Sequence, residues 1–246
     1  MLAIIAGGEL EELPGFKRER RLMERTPYGL PEAPIALGRI GGVETLFLRR
    51  HGTKAPRIPS KVNFKANAVA LKELGAGAVL SLTVAYALLD GTPPLSLLCP
   101  DDLIDYGPGE GRTFALTEQT PFHCPTRSVL YSPDARESVA RVAKAARLPC
   151  PFAGEGVLGS LDGSRHPTGA EAARMVGHGV AAYAMSTAQE PSLFMELGIP
   201  FAHLAIVIGP DPADLPERSS ETIKSHSLAA CEAFFARMDK WVDAIA

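Results

Sequence analysis

Long apolar runs are missing from this chain: nothing in it approaches the ~18 consecutive apolar residues that span a bilayer, so no membrane-crossing helix is expected. Met1 to Ala6 is apolar, but Gly7-Gly8-Glu9 closes the run too early for a signal peptide. Cysteine is sparse. The four residues, at 99, 124, 150 and 231, include no Cys-x-x-Cys pair, which excludes a zinc ribbon or thioredoxin-type motif and leaves no metal-ligand spacing. A chain of 246 residues does not need disulfides to hold a core, so the expected compartment is the reducing cytoplasm. Charge of one sign is lacking too: a formal net charge of −3 gives no clustered basic surface of the kind nucleic acid requires. The one basic run, Lys17 to Arg21, is interrupted by Glu19 and reads as a solvated loop. There is no internal repeat and no linker composition, so residues 1–246 are expected to form one domain.

What is present is core. The hydrophobic fraction of 46% is ample for an α/β domain. Leu2 to Ala6, closed by glycines, predicts a buried first strand. Ile35–Ile40 and Val43–Leu48 flank Gly41-Gly42, a hairpin signal. Asn63 to Leu74 predicts a helix stopped by Gly75, and Ala78 to Val84 a buried strand. Leu97 to Ile104 predicts a further strand, and Gly107 to Pro133, rich in turn formers, a long interface or functional loop. Ser132-Pro133 opens a helix through Arg147. Gly156–Leu161 is strand-like, and Thr168-Gly-Ala-Glu171 is a capping box at the start of another helix. Ala181–Ser186 predicts a strand, Glu190–Leu197 a helix and Phe201–Ile208 a strand, and a last helix from Ser219 or Ser220 runs toward Ile245. The alternation of strands and helices predicts a mixed, twisted sheet covered by helices on both faces. Residues 209–218 hold three prolines just after a buried strand, and loops at strand ends are where such sheets hold ligands.

The most informative segment is Leu48-Arg49-Arg50-His51-Gly52, followed by Asn63-Phe64-Lys65-Ala66-Asn67. An apolar strand runs into a corner carrying a guanidinium and an imidazole. Arg50 has five donors suited to bidentate capture of an oxyanion, and His51 adds another.

Extended over Thr26-Pro-Tyr-Gly-Leu-Pro-Glu-Ala-Pro34, Pro59-Ser-Lys-Val-Asn-Phe-Lys-Ala-Asn67, Leu103-Ile-Asp-Tyr106, Ala184-Met-Ser186 and Glu196-Leu-Gly-Ile-Pro-Phe-Ala202, the chain resembles the methylthioadenosine and methylthioinosine phosphorylases, trimeric members of the purine nucleoside phosphorylase superfamily. The resemblance covers nearly the whole length. It implies a purine nucleoside phosphorylase-like fold, cleavage of a purine nucleoside at C1′ by inorganic phosphate as co-substrate without any other cofactor, and a homotrimer whose sites lie near subunit interfaces. It implies phosphate contacts at Gly8, Arg50, His51, Thr83 and Ser186, and sugar or base contacts at Met185, His166, Ala85, Gly209 and Asp211. The catalytic pair it implies is His51 and Asp211. Phe122 and His123, in the irregular loop, match a wall supplied by a neighbouring subunit.

Several matched positions depart from the family. Its first loop carries a hydroxyl where this chain has Gly8, and Glu9 follows; a carboxylate facing an anion ~4 Å away costs roughly 4 kcal/mol near a protein surface. The N7 donor is replaced by Gly209, leaving Asp211 to take that role. His166 stands where an aromatic ring stacks on the purine, and Thr83-Val-Ala-Tyr-Ala87 replaces a glycine-bearing segment, which brings Tyr86 toward the pocket. These changes motivate two alternatives: a nucleosidase that uses water, and a catalytically weak homologue that binds a purine or another flat aromatic ligand.

Overall fold

In the computed structural model, residues 1–7, 10, 12–53, 57–88, 95–107, 111–115, 129–163, 165–185, 187–208 and 220–241 are described. Along the chain run β1 (Leu2–Ala6), β2 (Lys17–Leu22), β3 (Ile35–Ile40), β4 (Val43–Arg49), α1 (Phe64–Glu73), β5 (Ala78–Ala87), β6 (Ser96–Leu98), β7 (Asp102–Asp105), α2 (Pro133–Ala145), β8 (Phe152–Ala153), β9 (Val157–Leu161), α3 (Gly169–Gly177), β10 (Val180–Met185), α4 (Gln189–Glu196), β11 (Phe201–Val207) and α5 (Ser220–Phe235). Local chemistry accounts for several of them. Gly41 and Gly42 both take positive φ, 55° and 88°, the primed-turn geometry that joins β3 to β4 and that side chains resist. Asn63 caps α1 by accepting from the Ala66 N–H, and the Thr168–Glu171 capping box closes reciprocally.

The strands form one mixed sheet in the order β2-β3-β4-β1-β5-β10-β9-β7, with β11 on β5, β6 on β11 and β8 on β6. One face packs its apolar row under α2, α5 and the following turn to Trp241; the other packs under α1 and α4. The pivot is β5. Its first half runs parallel to β1, from Leu2↔Ala78 to Ala6↔Leu82. Its end pairs antiparallel with β10, at Tyr86↔Tyr183 and Ala87↔Ala182. Parallel β11 covers the other edge from Val79 to Ala85. Thr83, Val84 and Ala85 therefore lie where β1 has ended and β10 has not yet paired, at the carboxyl ends of β1 and β4. Open α/β sheets hold ligands at such places.

Four expectations need correction. The basic run at 17–21 is solvated but is not a loop: it is β2, an edge strand paired with β3. Charged side chains protect such an edge from further pairing, which is why its composition does not look strand-like. The strand expected over 97–104 is two, β6 and β7, separated at Cys99-Pro-Asp101. Helix α5 stops at Phe235; Arg237 then donates to the Ala145 carbonyl at the end of α2, 2.8 Å away, and the chain continues as a short 3-10 turn over Met238–Lys240. Ser132 sits at the N-cap of α2 without a capping hydrogen bond.

Candidate functional site

Arg50 leaves the end of β4 as its N–H bonds the Ala6 carbonyl at 2.7 Å, which extends the β1–β4 pairing by one residue. The side chain, 2% exposed, turns beneath the end of β1 toward β5 and α4. Its Nε donates to Glu190 Oε1 at 2.6 Å and its Nη2 to Glu190 Oε2 at 3.1 Å. Nη2 also reaches Ser81 Oγ at 2.7 Å, and both Nη atoms reach the Leu82 carbonyl at 3.1 Å. Ser81 in turn donates to Glu190 Oε2 at 2.6 Å. The bidentate fork expected to face an oxyanion therefore faces the protein's own carboxylate. Among the described residues one N–H of Nη1 has no acceptor, and Nη1 lies at Gly7: a Cβ there would sit 2.6 Å from it.

His51 meets the same spot. The Gly7 Cβ position is 2.9 Å from His51 Nε2. Its Nδ1 lies 2.9 Å from the Arg57 carbonyl, which can only accept, so Nδ1 carries the proton and Nε2 offers a lone pair. Burial and the Arg50 charge together lower the His51 pKa and keep the ring neutral. The imidazole is thus an acceptor at this spot, not the additional donor the sequence suggests. Gly7 is what lets both groups approach, since any side chain would displace them.

Thr83 follows Leu82 directly; it is nearly buried and donates a long 3.3 Å bond to the Val84 carbonyl, one that an anion can replace. Asn67 on α1 backs the corner, with Nδ2 3.5 Å from the Arg50 carbonyl and Oδ1 accepting the Glu32 N–H at 2.9 Å. That is the structural use of the Asn-x-x-x-Asn spacing. Ser160 Oγ accepts the N–H groups of Thr187 and Ala188 at 3.1 and 3.0 Å and so sets the entry to α4 and Glu190. Burial opposes ionisation of Glu190, but the Arg50 charge and the hydrogen bonds from Arg50 and Ser81 outweigh it and hold the carboxyl below its usual range. Beneath lies His203, fully buried beside Tyr131 and Phe201; burial first, then Arg50, lower its pKa to about 3.

The side expected to face sugar and base is aromatic. Tyr86 stacks on Tyr183 with ring centroids 5.3 Å apart and meets His166 edge-on at 4.8 Å. His166 Nδ1 lies 3.1 Å from the Tyr183 hydroxyl. Met185 is packed against Gly163, whose Cβ position would fall 2.6 Å from its Sδ. A cavity of about 240 Å³ opens alongside, lined by Ser60, Tyr106, Asp162, Gly163 and Arg165 among others. Arg165 anchors this loop through two bonds to Glu171, at 2.7 and 2.9 Å. Ala85 does not face the opening: it is fully buried among Leu98, Ala182 and Val207 because it lies on the core side of β5. Gly8, Ser186, Gly209 and Asp211, with Phe122 and His123 in the irregular loop, lie outside the described residues.

Glu190 and Ser81, which occupy the Arg50 fork, are the side chains of this cluster that sequence reading misses. The only local signal is a carboxylate in the first turn of a helix whose other early residues are buried.

The family model of the phosphorylase superfamily matches residues 2–240. The chain belongs to that superfamily. A probable S-methyl-5′-thioinosine phosphorylase of Xanthomonas campestris pv. campestris is 35% identical to it over 206 residues, 84% of this chain and 82% of that protein. The S-methyl-5′-thioadenosine phosphorylase of Caenorhabditis elegans is 32% identical over 209 residues, 84% and 72% of the two chains. The fold of a methylthioadenosine phosphorylase from Schistosoma mansoni in apo form matches with a TM-score of 0.85 over 97% of this chain and 90% of that one, at 23% identity. Among the described residues no helix is long and apolar enough to cross a membrane.

Proposed function

We propose that this protein cleaves the N-glycosidic bond of 5′-methylthioadenosine or a related purine nucleoside by phosphorolysis, releasing the purine and a ribose 1-phosphate. The observation that carries the reading is the pairing of an N–H donor and a lone pair, Arg50 Nη1 and His51 Nε2, on one glycine-floored spot at the carboxyl end of β1. Hydrogen phosphate has both an anionic oxygen for the donor and a hydroxyl for the acceptor. The names carried by relatives at 35% and 32% identity support the substrate class.

In the reaction, a phosphate oxygen bonds to C1′ as the C1′–N9 bond breaks, the bonding pair passes into the purine, and a proton at N7 neutralises it. Arg50, Thr83, Ser186 and Gly8 are the proposed contacts to the nucleophile, and His51 accepts the phosphate hydroxyl and orients the attacking oxygen. Met185 packs under the sugar and His166 borders the base. Asp211 is the proposed proton donor, in place of the family's residue at Gly209. A homotrimer completing each site with a neighbour's loop, and a cytoplasmic location, belong to the same proposal.

Assaying base release from methylthioadenosine and methylthioinosine, with and without phosphate, tests it. Release that saturates with phosphate is expected; release indifferent to phosphate would identify a nucleosidase, and none from either substrate would leave a binding homologue. A monomeric mass in solution would remove the shared site.

A further inference from the structure

The opposite face of the sheet from Arg50 and Glu190 carries a second polar concavity. Strand β4 places Arg50 beyond its end on one side and Arg49 on the other, so consecutive arginines serve different faces. Arg49 borders a cavity of about 410 Å³ lined by Glu12, Leu13, Phe16, Arg18, Arg21, Pro34, Ala36, Phe47 and Thr53. That volume lies within the range of small-molecule pockets, roughly 300–1,000 Å³. The register builds it. Arg21 lies across from Ala36, and Ala36 across from Phe47, so these three share a row. The bulge between Arg18 and Arg20 adds a residue to β2, which returns Arg18 to the side of Arg21 although the two are three positions apart.

The cavity's chemistry is divided. Its floor is apolar and aromatic, with Phe16 and Phe47 in edge contact at 5.8 Å. Among the described residues its rim carries three guanidinium groups and one carboxylate, that of Glu12. None of Arg18, Arg21 and Arg49 forms an ion pair among the described residues, whereas the neighbouring Arg39 pairs with Glu19. Edge protection explains charged residues on β2. It does not explain Arg49, which is half-buried on an interior strand. Guanidinium forks match phosphate oxygens bidentately, and a ring-shaped apolar body suits the floor.

We propose that this cavity binds a phosphate monoester with a flat apolar body, at a site separate from the Arg50 corner.

Calorimetric titration of the full chain with 1-naphthyl phosphate tests it, with inorganic phosphate and 1-naphthol as single-feature controls. The ester is expected to bind about tenfold or more tightly than either control, because only it satisfies both rim and floor. Arg21→Gln and Arg49→Gln should each weaken the ester by about tenfold, as loss of a charged hydrogen-bonding partner does. Arg21→Gln should leave nucleoside turnover unchanged, and Thr83→Val should leave ester binding unchanged. Equal affinity for inorganic phosphate and the ester, or no binding of the ester at all, would overturn the proposal. So would binding lost in Thr83→Val but retained in Arg21→Gln, since the ester would then occupy the other site. Arg21 is exposed on an edge strand, so its variant tests the rim without threatening the fold.

Discussion

The two ends of the candidate site are built on different principles. At the end expected to hold the anion, Arg50, Ser81 and Glu190 form a buried polar network drawn from β4, β5 and α4, in which, among the described residues, every strong donor but one is used. At the base end, Tyr86, Tyr183 and His166 fill space with rings that touch one another. The first arrangement fixes one guanidinium N–H in place; the second leaves a half-open surface that a ligand must share with the protein's own side chains. Hydrogen bonding is thus concentrated at the end proposed to hold the anion, and ring packing at the end proposed to hold the base.

Breaking the anion end should have the largest effect. Glu190→Ala strands the Arg50 charge in a site where both side chains are only 3–4% exposed, so unfolding free energy should fall by about 3–5 kcal/mol in denaturant titration. An unchanged midpoint would show that the network is not closed. Acid probes the same region. Buried His203 stays neutral with a pKa of about 3, while the unfolded chain takes up its proton near 6.5. Stability is therefore complete above pH 6.5 and declines as pH falls below it, by about 1.4 kcal/mol per unit, with His51 adding a smaller share in the same window. His203→Phe should flatten the slope between pH 6.5 and 4.5. Glu190 acts lower: its folded pKa is below the ordinary 4.5, so its contribution is present above 4.5 and is lost as pH falls through the folded value.

At the base end, Tyr86→Gly removes the ring that stacks on Tyr183. Nucleoside KM should drop about tenfold if that ring competes with the purine for stacking; a rise would mean that Tyr86 helps hold the base. By contrast, Thr168→Ala should cost only about 1 kcal/mol, through the lost cap of α3. An equally small loss in Glu190→Ala would erase the contrast between the two regions.

The fold was largely legible because its signals are local. Two adjacent glycines specify the β3–β4 turn, Asn63 and Thr168 announce helix starts, and apolar runs mark β1, β5 and β11. What escaped depends on distance in sequence. The partner of Arg50 lies 140 residues away, and nothing near position 50 indicates that its fork is occupied. Strand β2 hides beneath edge charges, and the end of α5 is set by an interaction with α2. Arg50 and His51 were legible as candidate residue types but not as directions. Which N–H stays free, and which imidazole nitrogen holds the proton, follow only from their neighbours.

The most direct test is the position of the anion itself. In crystals soaked with arsenate, whose anomalous signal marks a phosphate analogue, density is expected within hydrogen-bond reach, about 2.7–3.2 Å, of Arg50 Nη1 and His51 Nε2 above Gly7. Arsenate bound elsewhere on the molecule, with that spot left empty, would contradict the phosphorolytic reading of this corner.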